Sequence, residues 1–437
     1  MRHSKAGREG DKETRPNDGV DRRGFLRCMA WAGTGLVWTV AGGVPVSGLI
    51  GGKRQAASEG GEFTFVQISD SHIGFDKGAN PDVTATLQAA IAKIHALPAE
   101  PDLILHTGDL THLSKPAQFD TLDQALKGAG RKPVFYVPGE HDVALDNGRL
   151  FLERYGKGTR GGGWHSFDHK GVHFVGLVNV LDLKAGGLGR LGHEQLEWLE
   201  RDLRGRGSST PIVVFAHIPL WSVYPQWGWG TEDSAQALSC LRRFGSVTVL
   251  NGHIHQIMQK VEGNVTFHTA MATAFPQPIP GTAGAPGPLK VPAGQLHDVL
   301  GITRVHYVAG AHHLAVVDAT LSGTQAAEAE AILRRAAAGA AAAVKDNSSP
   351  GRAEGAMARA AIGNFSFAPS ELSVAAGATV EWTNKDDTPH TVTSDDNLFS
   401  SPLMDTNQTF RHTFAAAGRF SYHCKLHPTM TGAVAVG

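Results

Sequence analysis

The chain is poor in cysteine, with three in 437 residues, at positions 28, 240 and 424. That excludes a disulfide framework. It has no excess of either charge, 40 Lys and Arg against 41 Asp and Glu. Residues 1–57 hold 10 basic and 5 acidic residues, so 30 and 36 remain beyond them, a formal −6. A mildly acidic surface of this kind offers no footprint for nucleic acid as a stable partner. Long apolar runs are scarce too. Cys28–Val40 is too short and too glycine-rich to read as a membrane span, and nothing else reaches spanning length. What the chain does have is length for two domains with real cores, and 22 histidines.

The histidines and aspartates are not scattered. Five short strings carry them: Asp70-Ser71-His72, Gly108-Asp109-Leu110-Thr111-His112, Gly139-Glu140-His141-Asp142, Ala216-His217 and Gly252-His253-Ile254-His255. Each follows an apolar, often β-branched run: Phe63–Ser69, Asp102–Thr107, Pro133–Val137, Ile212–Phe215 and Val247–Leu250. Such runs read as strands covered on both faces. Helical patterns lie between them, over Val83–Leu97, Ala117–Leu126, Glu194–Leu203 and Ser234–Phe244. Ile302–Val308 and Leu314–Asp318 read as a closing hairpin. Strands alternating with helices predict a layered α/β core, and its strand carboxyl ends are where such sheets place ligands. Carboxylates and imidazoles converging there need cations to offset them, so the expected site is a metal site.

Over about Glu62–Leu321 these five ordered blocks resemble the calcineurin-like metallophosphoesterase superfamily, whose fold is an α/β/β/α sandwich. The resemblance implies a binuclear site. Asp70, His72 and His255 would hold one metal, Asp109 would bridge, and His217 and His253 would hold the second. His141 would stand beside the metals to protonate the leaving group or stabilise the phosphate, with Asp142 orienting its ring. Two cations ~3.5–4 Å apart bind phosphate oxygens and make a hydroxide from bound water, which attacks in line. The donor types suit Fe, Mn, Zn or Co. One position departs from the family pattern: Glu140 stands where an Asn is usual. It is expected to remain a ligand of the second metal while lowering the net positive charge of the site. A Tyr ligand of the purple acid phosphatases is replaced by His112, which sets the chain apart from that branch.

The last ~80 residues read as a separate unit. Phe365–Phe367, Glu371–Val374, Thr379–Thr383 and Phe420–Cys424 are short strands between Gly, Asn and Pro turns, which predicts an antiparallel sandwich. Thr388-Pro389-His390-Thr391-Val392 and Cys424-Lys425-Leu426-His427-Pro428-Thr429-Met430 resemble the metal loops of a small blue-copper protein, a cupredoxin, with the short C-x-x-H-x-x-M loop of the amicyanin kind. The resemblance implies a Greek-key fold and one type 1 copper held by His390, Cys424 and His427, with Met430 as the weak axial ligand. His423 alternates to the other side of its strand and is read as a non-ligand.

At the amino end, Arg22-Arg23 before the apolar Cys28–Val40 reads as a twin-arginine export signal, placing the protein in the periplasm or outside the cell, or on the membrane if the signal is retained. The expected organisation is residues 1–57 as signal and leader, 58–322 as the metallophosphoesterase domain, an Ala-rich linker over 323–359, and the cupredoxin domain over 360–437. Cys240 is expected as a core thiol, and His106, His112, His165, His268 and His297 remain either as supports for the ligand residues or as ordinary surface or core side chains. Trp221, Tyr224, Trp227 and Trp229 either wall the site or pack their loop, and the Pro/Gly-rich 276–292 segment is either a rim or an insertion. The function expected is an exported enzyme hydrolysing small phosphomono- or phosphodiesters, its copper domain meeting a redox partner. The alternative is a periplasmic copper electron carrier whose hydrolase domain is a weakened scaffold.

Overall fold

The structure, a computed structural model, describes residues 35–41, 44–50, 61–181, 183–185, 187–308, 314–343 and 357–437. Residues 1–58 form a unit of their own. In it Gly35–Ala41 (β1) and Val44–Ile50 (β2) pair as an antiparallel hairpin, so the end of the expected signal core is strand. Arg22 and Arg23 lie outside the described residues. Among the described residues no helix is long and apolar enough to cross a membrane.

The second unit, Glu59–Gly437, begins with two facing sheets. The first is built from Phe63–Ile68 (β3), Leu103–His106 (β4) and Val134–Tyr136 (β5), all parallel. The antiparallel hairpin of Gly301–Tyr307 (β12) and Ala315–Thr320 (β13) closes its edge on β3. The second has parallel Val172–Gly176 (β7), Ile212–Ala216 (β8), Val247–Asn251 (β9) and Val265–Thr269 (β11), flanked by antiparallel His165–His169 (β6) and Gln259–Glu262 (β10).

The two-residue period of a strand explains the layers. Phe63, Phe65, Leu103, Leu105, Val213 and Phe215 point inward and fill the space between the sheets. Val66, Ile68 and Ile104 point outward and meet Leu87, Ile91, Phe119 and Leu122 of the helices Val83–His95 and Pro116–Leu126. On the opposite side Ile212 and Val214 meet Leu199, Leu203 and Leu241 of the helices His193–Leu203 and Ser234–Leu241. The result is an α/β/β/α sandwich. Cys240, on the last of these helices, is only half-buried and packs at the edge of the core rather than inside it, while its neighbours Ala237 and Leu241 are the residues that the helix buries.

The C-terminal part is a second sandwich. One sheet runs Ser366–Ala368 (β15), Met357–Gly363 (β14), Thr379–Asn384 (β17) and Thr409–Thr413 (β19). The other runs Glu371–Val374 (β16), Thr431–Val436 (β21), Gly418–His423 (β20) and Thr393–Ser394 (β18). It is mixed rather than antiparallel, since β14 pairs parallel with β17 and β16 with β21. The chain reaches both pairs by crossing between the sheets, which returns a strand in the same direction. Trp382, Tyr422 and Phe414 fill its interior. Within the expected linker, Ala326–Ala343 is helical, and Ala329, Ile332 and Leu333 bury against Leu289, Val291 and Val299. Spacing of three and four residues gives even this Ala-rich segment one apolar stripe to dock.

Candidate functional site

All five sequence blocks end in loops at the same edge of the sandwich, knitted to one another by backbone bonds. Asp70 N donates to Gly108 O (3.0 Å), Thr107 N to Ile68 O (3.0 Å), and Gly252 N to His217 O (3.0 Å). The turns are sharp enough that Asp70, His72, Asp109, His253 and His255 all have positive φ, between 40° and 70°. Left-handed backbone in non-glycine residues costs roughly 1–3 kcal/mol each and gathers at functional sites. Two motif glycines are there for space. A Cβ on Gly139 would run into the Asp109 carboxylate, and one on Gly108, itself at φ +99°, into the His217 ring.

The side chains converge in two overlapping sets. Ligand atoms of Asp70, His72 and His255 lie within 4.8 Å of one another, as do those of Glu140, His217 and His253. Asp109 stands between the sets: its Oδ2 is 3.4 Å from His72 Nε2 and 3.4 Å from His217 Nε2. Glu140 spans the second set, with Oε2 3.0 Å from His217 Nε2 and Oε1 2.9 Å from His253 Nδ1. The rings are aimed from behind. His217 Nδ1 donates to Thr107 O (2.7 Å) and His255 Nδ1 to Phe275 O (2.5 Å), which leaves each Nε2 facing inward.

The donor set fits cations. Despite these close approaches, Glu140 Oε2, His217 Nε2 and both nitrogens of His253 are buried and form no hydrogen bond among the described residues, a costly state that a bound cation relieves. Burial and the neighbouring Glu140 charge hold the Asp109 carboxyl well above its usual range. Three carboxylates packed this closely require positive charge.

His141 lies beside the first set, its ring 4.7 Å from that of His72. Here the structure corrects an expectation. Asp142 does not orient this ring. Its carboxylate turns away to accept from Leu110 N (3.0 Å), Thr111 N (2.8 Å), Thr111 Oγ1 (2.9 Å) and Gly139 N (2.9 Å), tying two motif loops together. The orienting acceptor is the carbonyl of His112, 2.8 Å from His141 Nδ1, and the two imidazoles stack at 5.1 Å. His112 had a signal in the sequence, since it stands where the purple acid phosphatases carry a metal-ligating Tyr. Burial pushes His141 down to about 4, against the pull of the Glu140 carboxylate.

The C-terminal sandwich carries its own cluster. Cys424 Sγ is 3.6 Å from His390 Nδ1 and 3.7 Å from His427 Nδ1, and the two Nδ1 atoms are 3.2 Å apart. Cys424 N to Met430 O (3.1 Å) and Met430 N to His427 O (2.9 Å) fold the loop back, so that Met430 is buried in the same core as Cys424. His390 Nε2 lies 3.0 Å from Asp386 Oδ2, which turns Nδ1 toward the sulfur, a role the sequence did not reveal. Although burial would raise the Cys424 thiol, the adjacent His390 lowers it, favouring thiolate. His423 points to Asp395 (2.7 Å) instead.

Of the aromatic residues after His217, Trp221 packs on Phe267, while Trp227 and Trp229 line the cleft over the metal-ligand residues. Gln277 and the Pro286–Pro288 stretch line it too, which makes part of the 276–292 segment a rim.

Residues 63–257 match the family model described as calcineurin-like phosphoesterase, and residues 335–436 the one described as cupredoxin-like domain. A 3',5'-cyclic-nucleotide phosphodiesterase of Nostoc sp. is 26% identical over 220 residues, 48% of this chain and 79% of the relative. The glycerophosphodiester phosphodiesterase GpdQ of Enterobacter lignolyticus is 26% identical over 204 residues, 45% of this chain and 71% of the relative. Amicyanin of Paracoccus denitrificans is 35% identical over 80 residues, 17% of this chain and 61% of the relative.

Proposed function

Since the chain belongs to the calcineurin-like phosphoesterase family and carries a cupredoxin-like domain at its C-terminal end, we propose that it is a binuclear-metal phosphodiesterase, exported by the twin-arginine route on the signal around Arg22-Arg23. The observation that carries this reading is the pair of ligand sets sharing Asp109, with His141 beside them. Asp70, His72 and His255 would hold one ion, Glu140, His217 and His253 the other, and Asp109 both. When bound, the two cations neutralise phosphate oxygens and lower the pKa of a water to make the nucleophile.

The protein's own groups do the rest. The His112 carbonyl can only accept, so His141 keeps its proton on Nδ1 and leaves Nε2 for the substrate. Burial favours the neutral ring; an anionic phosphoester entering beside it favours the charged one. His141 takes up a proton from solvent at Nε2 as the substrate binds and gives it to the departing ester oxygen. Glu140 sets the class of ester. With Asp70, Asp109 and Glu140 ionised, two divalent cations leave the centre a formal +1. That matches a singly charged diester better than a dianionic monoester, and both phosphodiesterase relatives point the same way.

The reading predicts that His141→Ala lowers hydrolysis of an aryl phosphodiester by roughly 10²–10⁴-fold with bound metal unchanged by elemental analysis. Parallel loss of metal and activity would instead make His141 a ligand and remove its catalytic role.

A further inference from the structure

The cleft over the hydrolytic ligands is not closed by its own domain alone. Its lining includes Phe365, Thr388 and His427 from the C-terminal sandwich, facing His141, Trp227 and Gln277. The His427 ring is 6.0 Å from that of His141, so a candidate copper ligand and the candidate proton donor share one cavity. The seating is close. Phe365 packs on Gly287, where a Cβ would run into the phenyl ring, and Lys77 Nζ lies 3.8 Å from Asp405 across the same junction. Phe365 also stands edge-on to both His390 and His427, at 5.2 and 4.8 Å.

One feature of this wall limits what can lie between the domains, and one points to a ligand. The free space between the walls is about 30 Å³, far below the ~300 Å³ of an ordinary small-molecule site, so only a small part of a substrate fits between them. And Thr388, one of the lining residues, has a buried Oγ1 with no hydrogen-bond partner among the described residues, a state expected where a bound molecule supplies the missing partner.

We propose that the copper-binding face of the C-terminal domain is the specificity wall of the hydrolytic cleft, admitting phosphodiesters with one small ester arm. Phe365 limits the size of that arm, and Thr388 Oγ1 donates to an oxygen of the substrate. His427 joins the wall to the copper cluster, so an anion in the cleft perturbs the copper ligands. This rests on the phosphodiesterase reading and narrows its substrate.

The test uses the full chain loaded with copper and manganese. Methyl p-nitrophenyl phosphate and bis(p-nitrophenyl) phosphate are compared in the wild type and in Phe365→Ala. The wall predicts that the variant shifts the kcat/KM ratio about tenfold toward the bulkier ester, the scale on which a pocket discriminates by size. It also predicts that inorganic phosphate shifts the copper–thiolate absorption of the wild type, and that Thr388→Val weakens this phosphate response. A ratio within twofold of wild type in a folded Phe365→Ala overturns the wall. If that variant does not fold, an absorption band indifferent to saturating phosphate overturns it. No hydrolysis of either ester by the wild type would overturn the phosphodiesterase reading instead, and the phosphate response would still decide whether the two sites share a wall.

Discussion

Glu140 is the residue on which the metal chemistry turns. Its two oxygens face two different imidazoles, at 3.0 and 2.9 Å, and burial at 5% exposure leaves no water shell for them. Glu140→Ala is therefore expected to weaken binding of the second manganese by at least about 10–100-fold while the first equivalent binds as before, read by calorimetric titration of metal-free protein. Asp142 carries a different load. One of its oxygens accepts from both Leu110 N and Gly139 N and the other from Thr111 N, so in Asp142→Asn the amide NH2 faces one of these donor sets whichever way it turns. The expected loss is about 2 kcal/mol of stability, the cost of buried unsatisfied donors, measured by denaturant unfolding. The convergence of these side chains was legible in the sequence because few residue types bind metal, and their order along the chain was intact. The partners of those residues were not. That His141 turns on the His112 carbonyl, and His390 on Asp386, depends on where backbone atoms and distant side chains fall after folding.

At the scale of elements, the parallel strands declared themselves through unbroken apolar runs, and the helices between them through their stripes. The parallel pairs of the C-terminal sandwich did not, since strand direction follows from crossovers and leaves no mark on a short alternating strand. The docking of Ala326–Ala343 was hidden as well, because alanine is as common in a solvated linker as on a shallow apolar stripe. One prediction belongs here. The helix His193–Leu203 is tied to β6 and β7 through Asp202, whose carboxylate meets His173 Nε2 and Ser166 Oγ, both at 2.7 Å. Burial would raise this carboxyl, but those hydrogen bonds outweigh it and hold it below the usual range. A carboxyl lowered in the folded state contributes stability that is complete above its unfolded pKa of ~3.9 and is lost as pH falls toward the folded one. Asp202→Asn should thus flatten the fall in melting temperature on acidification through that window; an unaltered pH profile would show that this contact carries no such linkage.

In the whole molecule, two clusters of candidate metal ligands from separate sandwiches meet at one cleft, through His141 on one side and His427 on the other. Each cluster was readable alone from its own motif. Their meeting was not. Phe365, Thr388 and His427 stand far from His141 along the chain, and nothing in the pattern of a short sandwich strand or loop says what it faces across a domain junction. In the proposed site seven side chains, Asp70, His72, Asp109, Glu140, His217, His253 and His255, hold two ions that hydrolysis requires. The most direct measurement is the rate of aryl phosphodiester hydrolysis by metal-free protein as manganese, iron, zinc or cobalt is added, with bound metal counted at each step. Turnover is expected to be negligible with one equivalent and to rise steeply as the second binds. Full turnover with one ion, or none with two in a folded protein, would rule out the two-ion site.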